Sequence, residues 1–227
     1  MRIEGSAAND SDSQLRLTVD NLELINIFKT LDINNALIGG RATGIFYATQ
    51  LMSKTPAIWC NGLNVKNISY NDCVMGEANV DAHLDNERGA FHLDALIDGP
   101  DNNRSHIAGD ILLAGALDMD FDANHIPVGF MKPFMSAFAD DLSGHASGHA
   151  RLFGTFQDID LEGDIFADSL GLKLGFTNTW YYATDSVHIK PGVINLKNIT
   201  LRDRYGNTAM LNSCLFATRV YSRVYSR

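Results

Sequence analysis

His145 and His149 share a parity and flank Gly148, so on a strand they lie on one face. Two such imidazoles are half of a metal site, which needs a third ligand and outer partners to orient it. Nothing nearby demands a third ligand, and the pair reads as solvated histidines beside a turn. Asp118-x-Asp120-x-Asp122 imitates the opening of a calcium loop. Ala123 then stands where that loop needs glycine, and Gly129 where it needs its closing glutamate, so the run reads as the wet face of a strand. Gly144-His-Ala-Ser147-Gly148 carries its serine one place late for a nucleophile elbow. There is no HExxH, no phosphate-binding GxxxxGK[ST] and no strand-linked GxGxxG. Acids are many, but none is singled out as the carboxylate pair of a glycoside hydrolase. The expectation is a non-enzyme without metal or cofactor.

Other reactive or sticky groups read the same way. Cys60, Cys73 and Cys214 are an odd number without CxxC spacing, hence no disulfide framework and no zinc knuckle. They read as small buried hydrophobes; a Cys60–Cys73 bridge stays open, since it needs only that their segments pair. Trp180-Tyr181-Tyr182 suits either a lipid edge or partner anchor, or a core with one polar rim. With 27 acidic against 18 basic residues the net charge is −9, which argues against nucleic acid and against a polybasic grip on anionic lipid heads.

The elements that must carry these residues are strands. Leu15, Leu17 and Val19 alternate with polar neighbours, as do Val80, Ala82 and Leu84, then Phe91, Leu93, Ala95 and Ile97. Ile111, Leu113, Gly115, Leu117, Met119 and Phe121 form the longest run of one parity, with Asp118, Asp120 and Asp122 on the other. Asn86–Gly89, Asp98–Asn103, Pro191-Gly192 and Tyr205–Asn207 supply turn chemistry between runs. Two stretches are helical in spacing: Leu22–Leu31, and Val128–Ala139 with Phe130, Phe134 and Phe138 four apart and Pro133 near its start. Residues 1–13 are small and polar and read as a disordered tail.

A motif recurs. Ile38-Gly-Gly40-Arg-Ala42-Thr-Gly44 matches Leu142-Ser-Gly144-His-Ala146-Ser-Gly148 position by position, and each copy follows one of the helical stretches. A repeat at an offset of roughly one hundred residues indicates repetitive β architecture. The expectation is one repetitive β domain over 14–213, in units of 14–125 and 126–213. Gly40, Gly44, Gly144, Gly148, Gly154 and Gly163 either end hairpins or let a sheet curl. No apolar h-region opens the chain and no apolar run reaches the ~20 residues of a spanning helix. Val220–Arg223 is repeated at once as Val224–Arg227, so 214–227 reads as a ragged terminus and the whole as a piece of a longer chain.

Pro133-Phe134, Leu142-Ser-Gly144-His-Ala-Ser-Gly148 and Gly154-Thr-Phe-Gln-Asp-Ile-Asp-Leu161-Glu-Gly163 form one ordered block. A second runs from Asn178-Thr-Trp-Tyr-Tyr182 through Asp185, Ile189, Ile194-Asn-Leu-Lys-Asn-Ile199-Thr-Leu201-Arg-Asp203 to Gly206-Asn207-Thr-Ala-Met-Leu211. Together, Pro133–Leu211 resembles TamB, the AsmA-like translocation and assembly module family, and most closely its Bacteroidetes-type members. The resemblance implies an all-β, mainly antiparallel fold: an elongated, strongly curved sheet (β-taco, or half-pipe) with one or two short helices. It implies a periplasmic scaffold segment in a Gram-negative bacterium, its parent anchored in the inner membrane. The work implied is outer-membrane protein assembly with a barrel partner, and phospholipid transport between membranes. The family's anchor helix and its partner-docking domain are not in this sequence, which fits an internal fragment.

On that reading the floor of the groove is Phe91, Leu93, Ile97, Ile111, Leu113, Leu117, Met119, Phe121, Ile165, Leu172, Leu174, Ile189, Ile194, Leu196 and Leu201. Each methylene of a bound acyl chain gains roughly 0.8 kcal/mol by leaving water. Alternation alone fits a closed core equally well. Two other readings stand beside it: a module that templates strands of outer-membrane clients, and a β-helical carbohydrate-active protein.

Overall fold

The computed structural model describes residues 1–7, 13–30, 38–136, 139–156, 158–175, 178–196, 199–211 and 214–217. The fold is all-β and mainly antiparallel, as expected. The strands are β1 (Arg2–Gly5), β2 (Gln14–Glu23), β3 (Ile38–Thr49), β4 (Ala57–Tyr70), β5 (Cys73–Asp85), β6 (Ala90–Asp98), β7 (Arg104–Leu112) and β8 (Ala116–Pro127). There follow β9 (Ala139–Thr155), β10 (Asp158–Leu174), β11 (Thr179–Lys190), β12 (Val193–Leu196), β13 (Ile199–Asp203), β14 (Thr208–Leu211) and β15 (Cys214–Ala217). Helix α1 covers Leu24–Thr30, and a 3-10 turn at Val128–Met131 leads into α2 (Lys132–Met135). The chain divides into two compact units: residues 1–124 with 151–159, and 125–150 with 160–227.

In the first unit each strand from β1 to β8 pairs antiparallel with the next. Such a meander needs only short reversals. Asn71 and Asp72, both at positive φ, make a two-residue hairpin between Tyr70 and Cys73. The Asp98–Arg104 loop is closed by a forked ion pair at 2.6 and 3.2 Å. Register shifts between Val19/Leu22, Thr43/Phe46 and Cys60/Leu63 mark bulges in β2 to β4. A bulge bends its strand and increases its twist, which curves the sheet.

In the second unit β10 pairs with β11, β11 with both β12 and β13, β12 with β15, and β13 with β14. β10 carries its own bulge between Ala167 and Leu170.

Several expectations are corrected. Arg2–Gly5, inside the expected disordered tail, is a strand paired with β2. Residues 8–12 lie outside the described set, as do 218–227, whereas Cys214–Ala217, in the expected ragged end, form β15. The helical spacing over 22–31 yields α1, although Leu22 and Glu23 belong to β2 and Leu31 is not among the described residues. The spacing over 128–139 yields only the 3-10 turn and α2, with Phe138 outside the described set. The Cys60–Cys73 bridge, left open by the sequence, is not formed; Cys60 is buried and Cys73 half-buried.

Candidate apolar face and its solvent-facing counterpart

The registers of the first unit place its apolar residues on one face, strand after strand. Leu17 pairs with Phe46, Phe46 with Cys60, Cys60 with Ala82, Ala82 with Leu93, Leu93 with Gly109 and Gly109 with Met119. A parallel row runs Ala42, Val65, Ala78, Ile97 and Ser105. Of the expected floor residues here, Ile97, Leu117, Met119 and Phe121 are buried, and Phe91, Leu93 and Ile111 are half-buried. Phe28 of α1 meets Phe156 edge to face, centroids 6.1 Å apart, and adds two rings to this unit.

Leu113 does not belong to the floor. It is 66% exposed, in the tight turn between β7 and β8. Its N–H donates to Gly89 O at 2.9 Å, and Gly115 N–H donates to Leu112 O at 2.8 Å. Ile111 pairs with Leu117 across this turn. An odd-numbered loop preserves parity from one strand to the next, so the reversal is hidden inside an unbroken alternating run.

In the second unit the floor is covered. Val128, Met131 and Met135, from the 3-10 turn and α2, lie over Leu142, Ile165, Ala167, Leu170, Val187 and Ile189. The space left among them is about 20 Å³, room for one water molecule. Ile165 and Ile189 are thus core residues under a helical cover, and their reading as open groove is corrected. Leu172 and Leu201 are likewise buried, Leu174 half-buried. The side chains of Ile194, Leu196 and Phe134 lie outside the described residues.

The recurring glycine motif resolves into a backbone device. Thr43 Oγ1 accepts from Asn21 N–H at 3.1 Å, and Ser147 Oγ accepts from His125 N–H at 2.8 Å; both donors stand 22 residues upstream. Asn21, in the bulge between Val19 and Leu22, and His125 near the end of β8 both have positive φ, 48° and 50°. Ala42 and Ala146, next to the hydroxyl residues, are each 1% exposed. Thr184, after buried Ala183, serves Ser169 (φ 51°) in the same way at 3.1 Å. An out-of-ladder N–H at a bulge needs an acceptor, and a hydroxyl on the neighbouring strand supplies it. Among the flanking glycines, Gly148 (φ 146°) shows why no side chain fits: a Cβ would overlap the carbonyl oxygen of Asp164. Gly40, Gly144, Gly154 and Gly163 share the positive φ, and Gly44 does not.

The opposite face is polar. Asp110 sits 2.8 Å from His92 Nδ1 and 2.8 Å from Arg88 Nη1, and the His92 bond, with Arg88 behind it, holds its carboxyl below the usual range. Arg151 forks onto Asp118 at 2.6 and 2.7 Å, and this hydrogen-bonded pair depresses Asp118 likewise. His106 lies 3.1 Å from Asp94, and His188 contacts Asp164. Burial pushes the Cys60 thiol up, which leaves it a poor nucleophile. His145 stacks on His125, centroids 4.1 Å apart and planes 10° apart, while His149 is exposed. Among the described residues no three His, Cys, Asp or Glu side chains come together as a metal would require.

The expected floor left out the β2–β4 part of the apolar face, Val19, Ala42, Phe46, Cys60, Leu63 and Val65, although Val19 stood in an alternating run and Cys60 was read as a buried hydrophobe. In β4 the apolar set passes from Cys60 to Leu63 because the bulge flips parity, so no single alternation spans the strand. It also missed the cover formed by Met131 and Met135. Comparison with known protein families, with curated proteins and with solved structures finds no match.

Proposed function

We propose that the chain is a scaffold segment of a TamB-like envelope protein and that the apolar face of its first unit takes up phospholipid acyl chains. The observation that carries this reading is the unbroken apolar register from β2 to β8, on which Phe46, Phe91, Leu93 and Ile111 stay half-exposed. Apolar surface left partly in water gains free energy from any hydrocarbon that covers it, about 25 cal/mol per Å². Transport then needs no side-chain chemistry, only a continuous apolar floor. The ordered motifs between Pro133 and Leu211 support the family reading. On that reading the chain works in the periplasm, in a parent anchored in the inner membrane, and serves lipid delivery and outer-membrane protein assembly. On this reading the acyl site lies on the first unit, because Val128, Met131 and Met135 already line the apolar floor of the second.

A photo-crosslinking residue at Leu93, in cells with intact membranes, tests it against the same residue at Leu96. Leu96 lies on the same strand with the opposite parity and is 38% exposed. Phospholipid adducts at 93 and none at 96 are expected. Equal labelling, or none at either site in a folded protein, refutes the acyl site. The strand-templating reading is favoured by one observation: among the described residues β1 pairs on one side only, and all four of its residues are exposed. Crosslinks from Ile3 to client protein, without lipid at Leu93, select it instead.

A further inference from the structure

The solvent face of β10 and β11 carries a cluster that the acyl reading does not use. Trp180 and Tyr182 alternate onto this face, opposite Lys173 and Gly171 respectively. Their rings are 15° from parallel, with centroids 6.3 Å apart. Both reach Gly171, where a Cβ would collide with Ser143 Oγ and stand 3.2 Å from Tyr182 Cε1 and 3.3 Å from Trp180 Cε3. The absent side chain lets the rings lean across the neighbouring strand instead of standing out from the sheet, an arrangement by which aromatics shield a strand glycine. Tyr182 still leaves 42% of its surface to solvent.

The cations beside the rings are uncommitted. Arg2, Arg41, Arg88, Arg104 and Arg151 each meet a carboxylate. Lys173, opposite Trp180, and Arg202, opposite Tyr182 on β13, meet none among the described residues. Nearby Asp203 is engaged elsewhere, accepting from Tyr205 N–H, Asn207 N–H and Asn207 Nδ2. Asp140 lies beside Gly175. In a chain with 27 acidic and 18 basic residues, two cations that meet no carboxylate among the described residues, flanking one exposed and one half-buried ring, are the reverse of the general surface.

We propose that this platform binds an acidic polysaccharide. Pyranose C–H faces pack on Trp180 and Tyr182, whose ring faces carry the negative lobe of the quadrupole. Carboxylate or phosphate groups of the same chain pair with Lys173 and Arg202 through charge-assisted hydrogen bonds. The surface is open, which suits a polymer that lies across it better than a small molecule that needs enclosure. A membrane is the weaker fit, because rings laid against Gly171 do not protrude into a bilayer.

Affinity electrophoresis of the intact chain in gels containing polygalacturonate, phosphomannan or dextran tests the proposal. Retardation by one or both acidic polymers is expected, with the responding polymer telling carboxylate from phosphate, and none by dextran. Trp180→Ala and Tyr182→Ala each weaken retention about ten-fold. Lys173→Gln combined with Arg202→Gln abolishes it, and Trp59→Ala, on the polar face of the first unit, leaves it unchanged. Circular dichroism verifies that the surface variants fold. No retention by either acidic polymer, retention indifferent to all four site residues, or retention equal in dextran overturns the proposal. So does binding to phosphatidylglycerol vesicles, without polysaccharide binding, that the same substitutions remove.

Discussion

At the scale of single residues, hydroxyls hold backbone N–H groups and carboxylates hold arginine and histidine side chains. Ser147 Oγ takes the His125 N–H in a half-buried setting, where an orphaned donor costs more than in water. Ser147→Ala is expected to destabilise by about 1 kcal/mol. Thr43→Val, whose Asn21 bond is exposed and replaceable by solvent, is expected to cost about 0.5 kcal/mol. Urea unfolding measures both, and equal or zero effects would deny the bulge hydroxyl its role. Asp118 adds a pH dependence. Its folded pKa lies below the unfolded one because of the Arg151 fork, so its stabilisation is complete above about pH 4 and fades as pH falls through the depressed value. The side chains are 46% and 51% exposed, so the gain is at most about 0.5 kcal/mol. The stability gap between wild type and Asp118→Asn should therefore be present at pH 7 and closed by pH 2. A gap that persists unchanged into acid means that the ion pair is not its source.

At the scale of elements, glycine positions separate close approach from turn chemistry. Gly148 has positive φ and a strand pressed against it, whereas Gly89 has φ 61° and open space around it. Gly148→Ala adds backbone collision to conformational strain and is expected to cost about 3 kcal/mol or more, against about 1 kcal/mol for Gly89→Ala. Comparable losses would place the constraint in φ alone. Much of this level was legible in the sequence. The turn residues at Asn86–Gly89 and Pro191-Gly192 fall between strands, and the twin Gly-x-Ala-(Thr/Ser)-Gly segments each offer a hydroxyl to a positive-φ N–H 22 residues upstream. What escaped has physical causes. Bulges at Val19/Leu22 and Cys60/Leu63 flip parity inside a strand, and the odd-numbered turn at Leu113 keeps parity across two. The seating of Met131 and Met135 on β10 and β11 is a tertiary fact that alternation does not encode. Met131→Ala enlarges a space that holds only one water and is expected to cost about 2–3 kcal/mol.

At the scale of the whole molecule, charge is the property that the sequence states most plainly, and its effect on stability has a definite sign. The chain carries a net charge of −9. The strand registers set some carboxylates against each other: Asp81 faces Asp94, and Asp110 faces Asp118. Like charges directly opposite on a sheet destabilise it. Local ion pairs oppose this, but exposed pairs contribute about 0–1 kcal/mol each. Salt weakens both terms. The attractive pairs are in contact and few, so screening removes little from them, whereas the repulsion sums over the acidic excess at longer range. The Debye length falls from about 30 Å at 0.01 M to about 8 Å at 0.15 M, which cuts the long-range sum first. The thermal unfolding midpoint is therefore expected to rise by a few degrees between 10 and 150 mM sodium chloride. Neutralising one facing pair, by Asp81→Asn, should raise the low-salt midpoint and shrink the salt response. A midpoint that falls with salt would mean that the contact pairs, His92–Asp110 and Arg151–Asp118 among them, outweigh the repulsion that the registers impose.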